Sequence, residues 1–255
     1  MIKNPYSSNF KLNRRKLRYG KESKKLQGAN GLECSDPVVI KLHADFIEKI
    51  DGNYPCVFAK SVLNKGSYMI SFYENIASRE DTLALCEDIF DFLQFQTEIA
   101  CRDFSTFVAV FVKSVIVEEL EFEEKLWRQL DMMRSIDGRN CDWDPAYSSD
   151  PTNEDFSFSF GGRGYFVVGG HPRSSRISRR FMYPTIIFNA QFQFEKLKDI
   201  GVMDRFREII RNRDIDMQGN INPGLASIGK TISEARLYSG RLVELDWTCP
   251  FKSDN

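Results

Sequence analysis

The chain has 255 residues, of which 42% are hydrophobic, 28% charged and 13% aromatic, with 21 Phe; this excludes a disordered or fibrous polymer and is enough for a large buried core. Thirty-five Lys and Arg against 36 Asp and Glu leave a net charge of −1, which excludes a globally basic nucleic-acid binder. No apolar run nears the roughly 18 residues of a membrane span, no apolar signal core opens the chain, and six scattered Cys form no Cys-x-x-Cys, so a cytoplasmic protein with reduced thiols is expected.

Residues 1–35 read as a basic N-terminal arm, flexible or laid on the surface: residues 1–30 carry nine Lys or Arg against the single Glu22, without apolar periodicity. Organised structure is expected over 36–255 as one domain. Ser35 or Asp36 can cap a helix with Pro37 at its first turn, and Val39, Ile40, His43, Phe46, Ile47 and Ile50 follow at helical spacing up to Gly52. His43 is read as a partly buried packing residue. A short helix over 57–63 is closed by Asn64-Lys65-Gly66, and 67–73 alternates as a strand.

A helix opened by Ser78 or Asp81 carries Leu83, Leu85, Cys86, Ile89, Phe90 and Leu93, and the run 106–112 reads as a buried strand. Between Glu118 and Asp137, Phe122, Leu126, Trp127, Leu130 and Met133 recur at three and four, with acids early and Arg128 and Arg134 late, as the helix dipole favours. A loop over 142–155 precedes Phe156-Ser157-Phe158-Ser159-Phe160, a period-2 strand turned by Gly161-Gly162-Arg163-Gly164 into Tyr165-Phe166-Val167-Val168. The Gly-rich turn joins two strands instead of opening a helix, so it reads as a hairpin turn and not as a phosphate cradle. A strand over 184–189 and two helices split by Gly201 come next, and 219–255 reads as largely irregular. The pattern predicts an α+β fold, an antiparallel or mixed sheet covered by helices in a single domain.

Gly224-Leu225-Ala226-Ser227-Ile228-Gly229-Lys230-Thr231 satisfies the P-loop letters, but a polar loop precedes it where a buried strand is required. The most unusual chemistry is Gly169-Gly170-His171-Pro172-Arg173-Ser174-Ser175-Arg176-Ile177-Ser178-Arg179-Arg180. One imidazole just past a strand is followed by a guanidinium cluster suited to carboxylates or phosphates; a solvated basic loop is the alternative.

The segments Gly170-His171-Pro172, Ser174-Ser175-Arg176, Arg179-Arg180-Phe181, Pro184-Thr185, Phe188-Asn189 and Gln193-Phe194-Glu195 together resemble the YqcI/YcgG family. So do Tyr54-Pro55-Cys56, Asp103-Phe104-Ser105-Thr106-Phe107 and Trp143-Asp144-Pro145 upstream, and Ser233-Glu234-Ala235-Arg236, Tyr238-Ser239-Gly240-Arg241 and Trp247 with Cys249-Pro250-Phe251 downstream. The likeness covers about residues 36–251, and departs at Ala190-Gln191, where proline followed by histidine is expected.

The resemblance implies a haem-dependent oxygenase that hydroxylates a nitrogen of a guanidino compound, with an external electron donor or peroxide as co-reactant. If haem binds, residue type and position within the shared motif make His171 the first choice of iron ligand, with Cys56 and Cys249 as rivals, since a thiolate also favours O–O cleavage. Arg176, Arg179 and Arg180 would then pair with the haem propionates. Glu234 and Glu195 are candidates for a guanidinium substrate, and Arg236 and Arg241 for a substrate carboxylate. The alternatives are a haem sensor or carrier without turnover, and an interaction protein without haem.

Overall fold

The computed structural model describes residues 4–7, 15–20, 25–28, 31–99, 104–220 and 232–252. Arg15–Gly20 (β1) and Lys25–Gly28 (β2) form an antiparallel pair. Helix α1 (Pro37–Asp51) starts where the sequence says it must: the Asp36 carboxylate accepts from the Val38 and Val39 N–H groups and Pro37 fills the first position. Helix α2 (Val57–Lys65) ends at Gly66, which takes the left-handed conformation.

Strand β3 (Tyr68–Tyr73) is followed by the 21-residue helix α3 (Arg79–Ile99) and by β4 (Thr106–Phe111), which lies parallel to β3. A parallel pair needs such a crossover, and α3 supplies it. Helix α4 (Glu119–Asp137) leads through a long loop to the hairpin β5 (Phe158–Phe160) and β6 (Arg163–Gly170), whose two-residue turn puts both Gly161 and Gly162 at positive φ. That is the hairpin turn expected from the glycines. A 3₁₀ turn (Ile177–Arg179), β7 (Thr185–Ala190), α5 (Gln191–Asp199), α6 (Met203–Gln218) and a single helical turn, α7 (Ala235–Tyr238), follow.

The strands order β2-β1-β3-β4-β7-β6-β5, and every pairing except β3 with β4 is antiparallel. The mixed sheet, covered by helices, is the expected α+β architecture. Residues 15–20 and 25–28 correct the reading of a basic arm: β1 pairs with β3, and Leu17 and Leu26 are buried. The basic residues between them hid two apolar anchors, and an unpaired β3 edge rewards the added backbone hydrogen bonds.

Alternation sorts the strands onto two faces. Phe107, Ala109, Phe111, Ile186, Phe188, Tyr165 and Val167 meet α3 and α4 in one cluster, where Leu85, Ile89, Phe92, Phe122, Leu126 and Leu130 have no exposed surface. Each such side chain contributes about 1.5–3 kcal/mol by leaving water. Tyr68, Ile70, Phe72, Val108, Val110 and Ile187 point the other way, toward α1 and α2, in a smaller second cluster. Among the described residues no helix is long and apolar enough to cross a membrane.

Candidate functional site

The second face is not closed. A cavity of about 1050 Å³ lies between the sheet, α1, α2, α5, α6 and the segment 232–245, at the upper end of what a bound small molecule or cofactor needs. Its walls are mostly apolar, from Phe46, Ile50, Phe58, Val62, Val168 and Ile210 among others. Its polar lining includes Tyr54, Cys56, Thr106, Arg179, Asn189, Gln191, Arg207, Arg211, Asp214, Ser233 and Glu234.

Two glycines set one wall. A methyl group on Gly169 would lie 2.8 Å from the Tyr238 carbonyl, and one on Gly170 would lie 2.3 Å from the Phe181 ring and 2.8 Å from the Arg179 carbonyl. Only glycine lets α7 and the Arg179 loop press this closely on β6. Arg179 closes that contact, donating to the Gly169 carbonyl at 2.9 Å and the Leu237 carbonyl at 3.3 Å. No described carboxylate ion-pairs with it, so a buried positive charge is retained at the cavity wall.

Cys56 faces this charge from the N-terminus of α2. Burial pushes its thiol up, while the Ala59 and Phe58 N–H groups and the Arg179 and Arg213 charges act in the opposite sense and favour the thiolate. Cys249 has no such setting. It packs against the other face near Trp127 and Phe251, and burial pushes it up to about 12. Among the described residues Cys34, Cys56, Cys86, Cys141 and Cys249 are all free thiols.

Glu234 enters from the start of α7. Tyr238 Oη donates to its Oε1 at 2.5 Å and Gln191 Nε2 to its Oε2 at 2.7 Å. Burial raises its pKa to about 7, against the Tyr238, Gln191 and Ser157 hydrogen bonds and the Lys198 charge, which lower it.

His171 is placed elsewhere. Its ring stacks on Phe122 of α4 at 4.5 Å, is 1% exposed and does not line the cavity, and burial lowers its pKa to about 4. The guanidinium cluster is dispersed in the same way. Arg176 is ion-paired with the buried Asp214 and bonds Asn220, and Arg180 donates to the Ser174 and Ser175 carbonyls outside the cavity. Of the three, only Arg179 reaches the cavity, which corrects the reading of a joint anion site: the other two heads serve the loop's own structure and its tie to α6.

Glu195 is half-buried and paired with Lys198 at 2.8 Å, outside the cavity lining. Arg236 and Arg241 do line it, but their heads are occupied. Arg236 donates to the Trp247 and Glu244 carbonyls and stacks on Trp247, and Arg241 bonds Glu123 at 2.7 Å and Glu244 at 2.8 Å. A free substrate-carboxylate role is therefore corrected for both. His43, as expected, is a packed residue, 6% exposed, with Nε2 2.6 Å from the Tyr68 hydroxyl. The P-loop-like letters, Gly224 to Thr231, lie outside the described residues.

Thr106, Asn189 and Gln191 were missed by sequence reasoning. A signal existed: Asn189 ends an apolar run two residues after Ile187, and period two places both on the cavity face. There Thr106 Oγ1 donates to the Phe188 carbonyl at 3.1 Å and also lies 3.0 Å from Asn189 Oδ1.

A profile of the YqcI/YcgG family matches residues 43–252. The chain belongs to the YqcI/YcgG family. The match spans α1 to the C-terminal segment, so every wall of the cavity falls within the region the family shares. No curated protein and no solved structure matches it.

Proposed function

We propose that this YqcI/YcgG protein is a haem-dependent oxygenase that hydroxylates a nitrogen of a guanidino compound, with the cavity as its site and Cys56 as the iron's protein ligand. The observation that supports it most is the meeting, in one large apolar cavity, of a cysteine thiol with a nearby buried cation and a buried carboxyl group that, unlike Asp214, has no guanidinium paired with it. The donor set fits the cofactor. A flat apolar macrocycle matches the aromatic walls, and Cys56 is the one of the three candidate ligands that the cavity contains. Arg179 offers positive charge for the propionates, as does Arg207, whose buried Nε has no partner although its Nη1 is paired with the exposed Asp204 at 2.9 Å.

When bound, haem would supply the oxygen chemistry, with electrons from an external donor or with peroxide as the oxidant. The chain's own residues supply the rest. Arg179 and the N–H groups at the start of α2 act against the burial that keeps Cys56 a thiol and would favour its thiolate on an iron, the phenyl walls exclude water, and Glu234 presents a carboxyl group to the cationic end of a substrate.

The test is the absorption spectrum of protein purified from haem-supplemented cells, with Cys56→Ser and His171→Gln beside it. A stoichiometric Soret band, shifted or lost in Cys56→Ser and kept in His171→Gln, is expected. The reverse pattern returns the ligand to His171. A well-folded wild-type protein with no Soret band overturns the haem reading. A Soret band with no oxygen atom transferred to arginine or other guanidino compounds, with reductant or peroxide present, leaves a haem carrier instead.

A further inference from the structure

Glu234 is unusual among the carboxylates of this chain. It lines a mostly apolar cavity, no described Lys or Arg forms an ion pair with it, and its two oxygens are each held by a neutral donor, Tyr238 Oη and Gln191 Nε2. A carboxylate has roughly four acceptor sites, and the third neighbouring group, the Ser157 hydroxyl, spends its one proton on the Tyr165 carbonyl at 3.1 Å, so the two full donors leave capacity on both oxygens. The two hydrogen bonds also fix the plane of the group, because they arrive from different elements, α7 and the start of α5.

A fixed carboxyl group with acceptor capacity on both oxygens suits a planar donor fork better than a point charge. We propose that Glu234 is the receptor for an amidinium or guanidinium head, bound through both oxygens, and that binding expels a proton to solvent. This deepens the proposed function by assigning the group that recognises the substrate class.

The proton balance is simple. In the empty cavity the carboxyl is held near pH 7 by burial, so around neutrality a large share of molecules carry the proton. An incoming cation replaces it, leaving a carboxylate–cation pair and one proton in the buffer. The groups that act on Glu234 are Tyr238 on its own turn, Gln191 and Lys198 from α5, and Ser157 ahead of β5, while Tyr147 from the long loop feels its charge. Lys198 is paired with Glu195.

The experiment is isothermal titration of the full-length protein with benzamidine, and with benzylamine as the same ring bearing a point charge. Each is run in phosphate and in Tris between pH 5.5 and pH 8.5. Benzamidine affinity should rise nearly tenfold per pH unit on the acid side, flatten above about pH 7.5, and exceed that of benzylamine, with proton release near pH 7. Glu234→Gln should abolish both tight binding and the pH slope. Tyr238→Phe keeps the carboxyl group and removes a bond that lowers its pKa, so the midpoint should move to higher pH.

Affinity that is independent of pH, or equal for the two ligands, overturns the proposal. So does benzamidine binding that survives in a folded Glu234→Gln. If that variant does not fold, an unmoved midpoint in Tyr238→Phe overturns it. The titration needs no turnover and no Soret band. Glu234-dependent binding without haem would therefore remove the oxygenase reading and keep this one, and a Soret band without such binding would do the opposite.

Discussion

The two faces of the sheet are built from the same strands yet do different work. On one face α3 and α4 press Leu, Ile and Phe side chains onto Phe107, Phe188 and Tyr165 until nothing is exposed. On the other, α1, α2 and α6 stand around a cavity into which a few polar groups are admitted. A closed face stores stability through area removed from water, and an open one forgoes part of that to hold a ligand. Burial then acts as a tuning device as well: on the open face it brings Glu234 to a pKa near neutrality, whereas on the closed face it keeps His171 neutral.

The sharpest way to break the comparison is at the tie that holds α6 to the open face. Arg176→Ala leaves the buried Asp214 carboxylate without its guanidinium, and a loss of about 3–5 kcal/mol is expected in urea unfolding. A loss below about 1 kcal/mol would show that the pair is not what docks α6 beside the cavity. Next comes a matched pair of truncations. Leu130→Ala on the closed face should cost about 2–5 kcal/mol, while Leu63→Ala, which only enlarges a space already present, should cost clearly less. Equal costs would mean the cavity wall is as tightly packed as the core.

Gly170→Ala should follow at about 1–3 kcal/mol, because its methyl group must displace the Phe181 ring or the Arg179 carbonyl. A thermal melt reads this directly, and an unchanged midpoint would show that the Arg179 loop yields freely.

The smallest effect is on the pH profile. His43 and His171 are lowered from 6.5 to about 4 by burial, so the unfolded chain binds protons that the folded one refuses. Their contribution is complete above pH 6.5 and is lost as pH falls toward 4, with about 0.5–1 kcal/mol per histidine gone by pH 6. Glu234 has the opposite sign. Its folded pKa is raised, so its contribution is present below its unfolded value near 4.5 and is lost as pH rises through about 7. Replacing both histidines with Gln should flatten the acid limb of a melting-temperature profile, and Glu234→Gln should flatten the limb approaching pH 7. An acid limb that survives the double replacement would assign it to the carboxylates instead.

Local pattern by itself determined most of the elements. Asp36-Pro37 announces α1, the three-and-four spacing from Phe122 to Met133 announces α4, and Gly161-Gly162 between alternating strands announces the hairpin, because each signal is a property of a few consecutive residues. The family was legible too, since its motifs are strings. The site was legible only in part. Glu234 and Cys56 were named from their motifs, and Arg179 from its cluster, but nothing local distinguishes Arg179 from Arg176 and Arg180 beside it.

Only the tertiary structure separated them, by aiming one guanidinium at the Leu237 carbonyl on the cavity wall, one at Asp214 and one at the carbonyls of its own loop. It also moved His171 onto Phe122 and away from the cavity, and drew β1 and β2 onto the sheet edge through Leu17 and Leu26. Those outcomes depend on which distant backbone supplies the partner. Sequence spacing sets the period of a helix or strand, but a cavity is made by where elements far apart in the chain fail to touch.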